Sequence, residues 1–91
     1  MANERYGHIL KIDTAGAGLV ASGPFKVKRV RWVARTATRD DRCVVTDGNA
    51  KTIWEASATG TNYEKGELLE TWWNEGVIVP TLDDGILYIE K

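Results

Sequence analysis

Residues 25–35 read FKVKRVRWVAR, and this stretch decides the fold because it is the longest strand-like run in the chain. Side chains in a strand point alternately to the two faces of the sheet. Here the apolar residues occupy odd positions at first and even positions later, so the alternation changes phase between Lys28 and Arg29. A bulge or sharp bend at these two residues would restore a single apolar face. The residues on that inward face would be Phe25, Val27, Val30, Trp32 and Ala34.

The same phase change collects basic side chains on the outward face of the strand. Residues 26–42 contain seven basic and two acidic residues, a net +5, whereas residues 43–91 contain three basic and nine acidic ones, a net −6. The outward row has three interpretations: a solvated face that discourages edge aggregation, a dock for an acidic protein surface such as a neighbouring copy, or a nucleic-acid site. The candidate binding residues in this row are Lys26, Lys28, Arg29, Arg31 and Arg35.

The nucleic-acid interpretation is the weakest of the three on sequence grounds. Single-strand binding requires aromatic side chains among the exposed cations, where bases can stack. The aromatic residues of this stretch, Phe25 and Trp32, fall on the predicted inward face, and the isoelectric point is near 5.8. We therefore expect solvent or a protein partner on the basic row rather than a nucleic acid.

The rest of the chain also favours strands, because β-branched and aromatic residues form short runs separated by Gly, Asp and Asn. Asp47-Gly48-Asn49 and Asp83-Asp84-Gly85 predict two hairpins, since Asp-Gly suits the positive φ of tight turns. The predicted fold is all-β: a small antiparallel β-sandwich or jelly-roll-like barrel of about seven to eight short strands with at most one short helix. Besides 25–35, the predicted strands are 6–13, 18–22, 42–46, 51–57, 77–82 and 86–91.

Two segments are ambiguous. In EKGELLETWWNEG (64–76) the apolar residues have helical spacing, yet Gly66 and Gly76 leave only a short stretch between them, and Thr71-Trp72-Trp73 suits a strand. We favour a strand near residues 67–73, with a short helix as the alternative. Pro80 cannot donate a hydrogen bond to a neighbouring strand, so its strand should lie at a sheet edge or contain a bulge there.

Length and composition indicate one small domain with a modest core, because the chain has 91 residues. The single cysteine, Cys43, excludes an internal disulfide and lies in the apolar run CVVT, where we expect it to pack as a small hydrophobe. No run approaches the ~18 apolar residues of a membrane span, and the first residues lack the layout of a signal peptide. We therefore expect a chain made and kept in a cytoplasm, or exported by a route that needs no peptide signal, with no membrane partner.

Residues suited to catalysis or metal binding are sparse. His8 is the only histidine and lies on the apolar face of the first predicted strand, where packing or hydrogen bonding explains it. Ser22 and Ser57 belong to no nucleophile motif. The acidic pairs at 40–41 and 83–84 lie in predicted turns, where Asp commonly bonds the backbone, and they lack the ligand spacing of a metal site. We expect no catalytic residues, no metal and no cofactor.

The four tryptophans differ in their predicted environment. Trp32 belongs to the core, and Trp54 belongs either to the core or to its rim. Trp72 and Trp73 are adjacent and should point to opposite faces of a strand, so at least one is expected at the surface or in an interface. Both are candidate binding residues. An exposed tryptophan beside a carboxylate such as Glu70 also suggests a carbohydrate-binding module as an alternative of another class.

Three stretches resemble a known type of protein: RVRWVARTAT (29–38), VVTDGNAKTIWEASATGTNY (44–63) and VIVPTLDDGILYIEK (77–91). In this order they are similar to small all-β proteins encoded among the structural genes of tailed bacteriophages. The likeness covers roughly residues 27–91 and consists of strand and turn residues, with no chemical motif.

The resemblance implies a non-enzymatic virion protein, first of all an auxiliary capsid (cement or decoration) protein. Its partners would be the major capsid protein or another virion protein, together with further copies of itself; a tail or head–tail joining component is the alternative. Residues 1–24 lie outside the likeness and would form an N-terminal arm or strand pair beside a β-sandwich core of residues 25–91. If residues 1–24 contact another chain, deleting them should weaken assembly and leave the 25–91 fold intact.

Overall fold

The computed structural model shows two antiparallel sheets packed face to face, and it describes residues 4–6, 9–16, 18–21 and 23–91. One sheet has the strand order β1-β2-β9-β4-β7 and the other the order β3-β8-β5-β6. The strands are β1 (Glu4–Tyr6), β2 (Ile9–Ile12), β3 (Leu19–Ala21), β4 (Phe25–Ala34), β5 (Arg42–Thr46), β6 (Thr52–Ser57), β7 (Tyr63–Trp73), β8 (Val77–Leu82) and β9 (Ile86–Glu90). The predicted all-β sandwich is confirmed, and the described residues contain no helix.

The turn at residues 47–51 forms the first predicted hairpin, which joins β5 to β6. The Asp47 carboxylate closes it by accepting hydrogen bonds from the backbone N–H groups of Asn49 at 2.8 Å and Lys51 at 3.0 Å. The positive φ of this turn falls on Ala50 and not on Gly48. Gly48 is instead required by close packing, because a Cβ atom there would lie 2.2 Å from the carbonyl oxygen of Glu75.

The second predicted hairpin, at residues 83–85, is wrong because β8 and β9 belong to different sheets. The turn is tight, with Gly85 at a φ of 82°, but it crosses from one layer of the sandwich to the other. Asp83 accepts a hydrogen bond from the backbone of Arg42 on the four-stranded sheet, and Asp84 accepts two from Thr36, two residues after β4. These bonds hold the two layers together at the turn.

The ambiguous segment 64–76 is a strand as far as Trp73 and then a turn, and the alternative of a short helix is wrong. Strand β7 extends from Tyr63 to Trp73 and pairs with β4 from end to end. The backbone N–H and C=O groups of β7 therefore bond to those of β4, whereas in a helix they would bond to one another. No further strand pairs with the other side of β7 in the described structure, so β7 is an edge of the five-stranded sheet.

The predicted irregularity at residues 28–29 is confirmed by the pairing of β4 with β7. Val27 and Arg29 are two positions apart on β4, whereas their partners on β7, residues 71 and 68, are three apart. The extra residue of the bulge therefore belongs to β7, where Glu70 has a positive φ of 48°. On β4, residues 28 and 29 are both exposed and lie between two fully buried valines, which is the expected change of phase.

Pro80 interrupts a strand that lies inside its sheet, so the bulge alternative holds and the edge alternative does not. Val44 and Thr46 are two positions apart on β5, while their partners on β8, residues 81 and 78, are three apart. Pro80 thus falls in the segment where β8 has one residue more than β5. A residue without an N–H is tolerated there because regular pairing is already broken.

The core lies between the two sheets and is centred on Trp32, which is fully buried. Its indole N–H donates a 2.7 Å hydrogen bond to the carbonyl oxygen of Asp84, and its ring meets the ring of Tyr63 edge-on with centroids 5.5 Å apart. The predicted inward residues Val27, Val30, Trp32 and Ala34 are all 0% exposed. The side chain of Phe25 lies outside the described part.

The N-terminal segment contributes strands to both sheets. The predicted strand 6–13 is two strands, β1 and β2, and His8 between them is outside the described residues. Leu10 and Ile12 of β2 and Ala21 of β3 are buried in the common core. Residues of β2 and β3 therefore pack in the same core as residues 25–91, and the expectation that residues 25–91 keep the fold alone stays a prediction.

Gly85→Ala is expected to lower the free energy of unfolding by about 2 kcal/mol or more. The residue has a φ of 82°, and an added Cβ would lie 2.1 Å from the carbonyl oxygen of Val33. Urea unfolding of both proteins measures the difference. Gly60→Ala is the matched control, because no heavy atom lies within 4 Å of the added Cβ. Equal losses of stability in the two variants would contradict this account of Gly85.

Candidate functional site

The outward surface of the five-stranded sheet, called the outer face below, gathers most of the predicted binding residues. Directly paired residues of antiparallel strands share a face, so the register defines rows across the sheet. One row consists of Leu68, Arg29, Glu90 and Ile9, from β7 to β2. The next consists of Gly66, Arg31, Tyr88 and Lys11.

Trp72 and Trp73 point to opposite faces of β7, as the sequence predicted. Trp72 pairs with Lys26 on the outer face and is 58% exposed. Trp73 is 5% exposed and belongs to the core, so its indole offers no contact surface to a partner in this structure. Of the two tryptophans proposed as interface residues, only Trp72 is placed beside the basic row.

Two of the outward cations are paired with carboxylates of neighbouring strands. The Arg29 guanidinium lies 2.6 Å from a Glu90 carboxylate oxygen, and Nε of Arg31 lies 3.1 Å from Glu64 as an ion pair without hydrogen-bond alignment. Arg31 also lies over the ring of Tyr88, 5.8 Å from its centroid. Exposed pairs of this kind are worth about 0–1 kcal/mol each. Their larger effect is to neutralise part of the outward charge.

The remaining outward cations, Lys26 and Lys28, are exposed, and within the described residues neither makes an ion pair. The last pair between β4 and β9 is Arg29 with Glu90, so the two lysines lie beyond the end of β9, and among the described strands only β7 pairs with β4 at their level. On β7 they are flanked by Trp72 and by Leu68, which is 63% exposed. These four residues, Lys26, Lys28, Leu68 and Trp72, are called the exposed corner below.

Two shallow depressions lie along the rest of the outer face. One has a volume of about 360 Å³ and is lined by Ile9, Arg29, Arg31, Tyr88 and Glu90. The other, of about 350 Å³, is bordered by Arg31 and Tyr88 on one side and by Arg35 and Asp84 on the other. Arg31 with Tyr88 forms the ridge between them. The basic row therefore borders concave surface into which side chains of a partner can project.

Arg35 lies past the end of β4, where loops cover that end of the sandwich. Its guanidinium donates a 3.1 Å hydrogen bond to the Asn62 side chain, and Asn62 N–H returns one to the carbonyl oxygen of Arg35. The arginine thus anchors the β6–β7 loop in addition to bordering the second depression. Arg35 therefore has a structural role beside its place among the predicted binding residues.

The residue that sequence reasoning missed is Leu68. Its spacing from Trp72 matches a helical pattern, whereas in β7 both side chains project from the same outer face. Leu68, Trp72 and Leu19 are the large apolar side chains that stand exposed among the described residues, and Leu19 lies on the other sheet. A strand interpretation of 64–76 would have placed positions 68 and 72 together, because residues four apart share a face.

Trp54 is resolved as a core residue, since it is 6% exposed. Its indole N–H donates a 2.9 Å hydrogen bond to the carboxylate of Glu67, which joins an edge strand of one sheet to an edge strand of the other.

In the described residues, no three His, Cys, Asp or Glu side chains are arranged to hold a metal ion, and no helix could cross a membrane. Comparison with protein-family models, curated proteins and solved structures finds no match to this chain.

Cys43 is fully buried in β5 and packs in the core. Burial, and to a lesser extent the negative charge of Asp83, raises the pKa of the thiol to about 12. A free thiol has a pKa of about 8.5, so an unfolded chain would lose this proton first. The neutral thiol therefore contributes stability that is complete below about pH 8.5 and is lost as the pH rises towards the folded value.

Cys43 is expected to resist alkylation by iodoacetamide at pH 8 in the native protein and to react fully in denaturant. The native thiol is both protonated and inaccessible, and only the thiolate is nucleophilic. Intact mass spectrometry after timed quenching measures the modified fraction. Alkylation of the folded protein at the rate of the unfolded chain would contradict the described environment of this residue.

Proposed function

We propose that this chain is a non-enzymatic structural protein of a tailed bacteriophage virion, and that it binds the assembled shell as an auxiliary capsid protein. Its docking surface is the outer face of the five-stranded sheet, and the exposed corner supplies the apolar contacts of that surface. The proposal joins the resemblance of residues 27–91 to such proteins with the character of this face. A role in the tail or at the head–tail junction would use the same surface.

One observation carries the proposal: two large exposed apolar side chains, Leu68 and Trp72, project from a single sheet face beside two lysines that make no ion pair within the described residues. Tryptophan at the centre of a polar patch is a frequent source of binding energy in protein interfaces. Lysines around it favour an acidic partner by attracting it and by raising the association rate. The partner surface is therefore expected to have an apolar depression bordered by carboxylates.

The role follows from mass action. A protein that binds assembled subunits and not dissociated ones stabilises the assembled state by an amount set by its concentration and affinity. Because a symmetric shell repeats the same binding site many times, a modest binding free energy at each site adds up to a large total stabilisation. A small sandwich with one docking face suits this task, because every copy needs only one contact surface of ordinary size.

The exposed corner also leaves two other ligand classes to be distinguished by experiment. Trp72 could stack on a sugar ring, and the exposed aromatic ring among cations is the feature that a single-stranded nucleic acid requires. Carbohydrate binding would be independent of the lysines, and nucleic-acid binding would fall steeply with salt. A protein interface requires both Trp72 and the lysines and persists at moderate salt.

The test uses purified particles of the phage whose genome encodes this chain, stripped of the native copies. Added protein should co-sediment with the shells and raise the temperature at which they release DNA. Trp72→Ala should weaken binding at least about tenfold, the effect of losing a central tryptophan, and Lys26→Glu should slow association. Leu68→Ala should weaken binding to a smaller extent.

Matched controls lie elsewhere on the molecule. Leu19→Ala removes an exposed leucine from the other sheet, and Lys51→Glu reverses an exposed lysine in the β5–β6 turn. Both should bind as the native protein does. The proposal fails if the protein does not associate with the particles, if the controls weaken binding as much as the outer-face variants, or if oligosaccharide or single-stranded DNA competes for the same surface.

A further inference from the structure

The free side of β7 is a second surface with the means to bind a partner. Six consecutive residues, Tyr63 to Leu68, pair regularly with β4 on one side, while in the described structure no strand pairs with the other side. Half of the backbone N–H and C=O groups of an edge strand point away from its sheet and can pair with another chain. Beyond Leu68 the bulge at residues 69–70 ends this regular stretch, so a partner strand would align with residues 63–68.

Gly66 in the middle of this stretch has no explanation within a single copy. Its backbone does not have the positive φ that favours glycine, and an added Cβ would meet only ordinary contacts at 3.8 Å or more. Glycine inside a strand weakens the strand, and it often marks a place where another backbone approaches closely. Position 66 is therefore open to the approach of a second chain.

The charges around Gly66 suit a second copy of the same strand. If two β7 strands pair antiparallel about a two-fold axis at Gly66, Lys65 of each copy lies opposite Glu67 of the other. Opposite charges directly across a strand pair are favourable, and the symmetry produces this contact twice. A shift of register by two residues would place Lys65 opposite Lys65 or Glu67 opposite Glu67, which is unfavourable.

We propose that two copies of this chain associate through antiparallel pairing of β7 with β7, centred on Gly66, to form one continuous ten-stranded sheet across the dimer. Such isologous pairing satisfies both free edges at once and closes the assembly. The bulge at residues 69–70 confines this symmetric pairing to residues 64–68 and prevents longer edge-to-edge growth. The two outer faces, each with its exposed corner, then lie side by side on one surface. This proposal does not depend on the proposed function.

Charge exchange tests the register. Lys65→Glu brings two carboxylates together at each cross-strand contact, and Glu67→Lys brings two ammonium groups together there, so each variant alone should sediment as a monomer. An equimolar mixture of the two variants restores opposite charges at both contacts and should sediment as a dimer. Analytical ultracentrifugation over a concentration series measures the masses, and circular dichroism confirms that each variant is folded.

A cysteine at the axis tests the geometry independently. Gly66→Cys should form an intermolecular disulfide on mild oxidation, because directly paired Cα atoms lie within the ~4.4–6.8 Å that a disulfide requires. Glu64→Cys, four residues from its own copy in the partner, should not form one. The native Cys43 does not compete, since it is fully buried.

Three outcomes overturn the proposal. The native protein could sediment as a monomer at all concentrations, the variant mixture could remain monomeric while its components are folded, or Glu64→Cys could cross-link as readily as Gly66→Cys. Because Glu67 accepts the hydrogen bond from Trp54, Glu67→Lys could unfold, and the cysteine pair then decides the question. Failure of this proposal leaves docking through the exposed corner unaffected, since that test uses other residues.

Discussion

The extra residue of β7 opposite Lys28 is the constraint on which the outer face depends. Without it, β4 would keep one alternation throughout, and the apolar residues on one side of Lys28 would point to solvent. The bulge lets β4 change phase while Leu68 and Trp72 of β7 stay on the same side. Two consecutive β4 residues then face outward. Basic side chains therefore lie close to the exposed Leu68 and Trp72, and β4 continues as one strand.

Electrostatics within the chain explains why this face is only partly charged. The acidic residues that balance the basic stretch in sequence come from the flanking strands, with Glu90 on β9 and Glu64 on β7 meeting the arginines of β4. The extent of this neutralisation follows the length of β9, because β9 ends at the pair with Arg29, and in the described part of the chain no carboxylate of β9 lies beside the two lysines beyond it. Ion pairs are therefore distributed unevenly over the outer face, and among the described residues the exposed corner has the fewest. Binding a partner there costs less desolvation free energy than binding it over a fully ion-paired surface.

Much of the fold follows from local patterns. Alternation predicted the strands, Asp-Gly predicted the β5–β6 hairpin, and the phase change between Lys28 and Arg29 predicted an irregularity that the pairing confirms. The local patterns were wrong where the structure depends on contacts between distant segments. Asp83-Asp84-Gly85 has the residues of a hairpin but joins different sheets, because both sides of β8 are already occupied by β3 and β5. The basic row was likewise predicted, but Leu68 was not, since its role depends on whether residues 64–76 form a helix or an edge strand.

The sequence by itself determined which residues alternate, where the alternation breaks and which strand carries the cations, because these properties depend on spacing along one strand. Only the tertiary structure decided which side chains stand beside those cations, which cations are neutralised and which strand has a free edge. These depend on the pairing of strands that are far apart in sequence, as when residues 25–34 meet residues 63–73. Adjacency across a sheet is a property of register, and register is set by packing of the whole core.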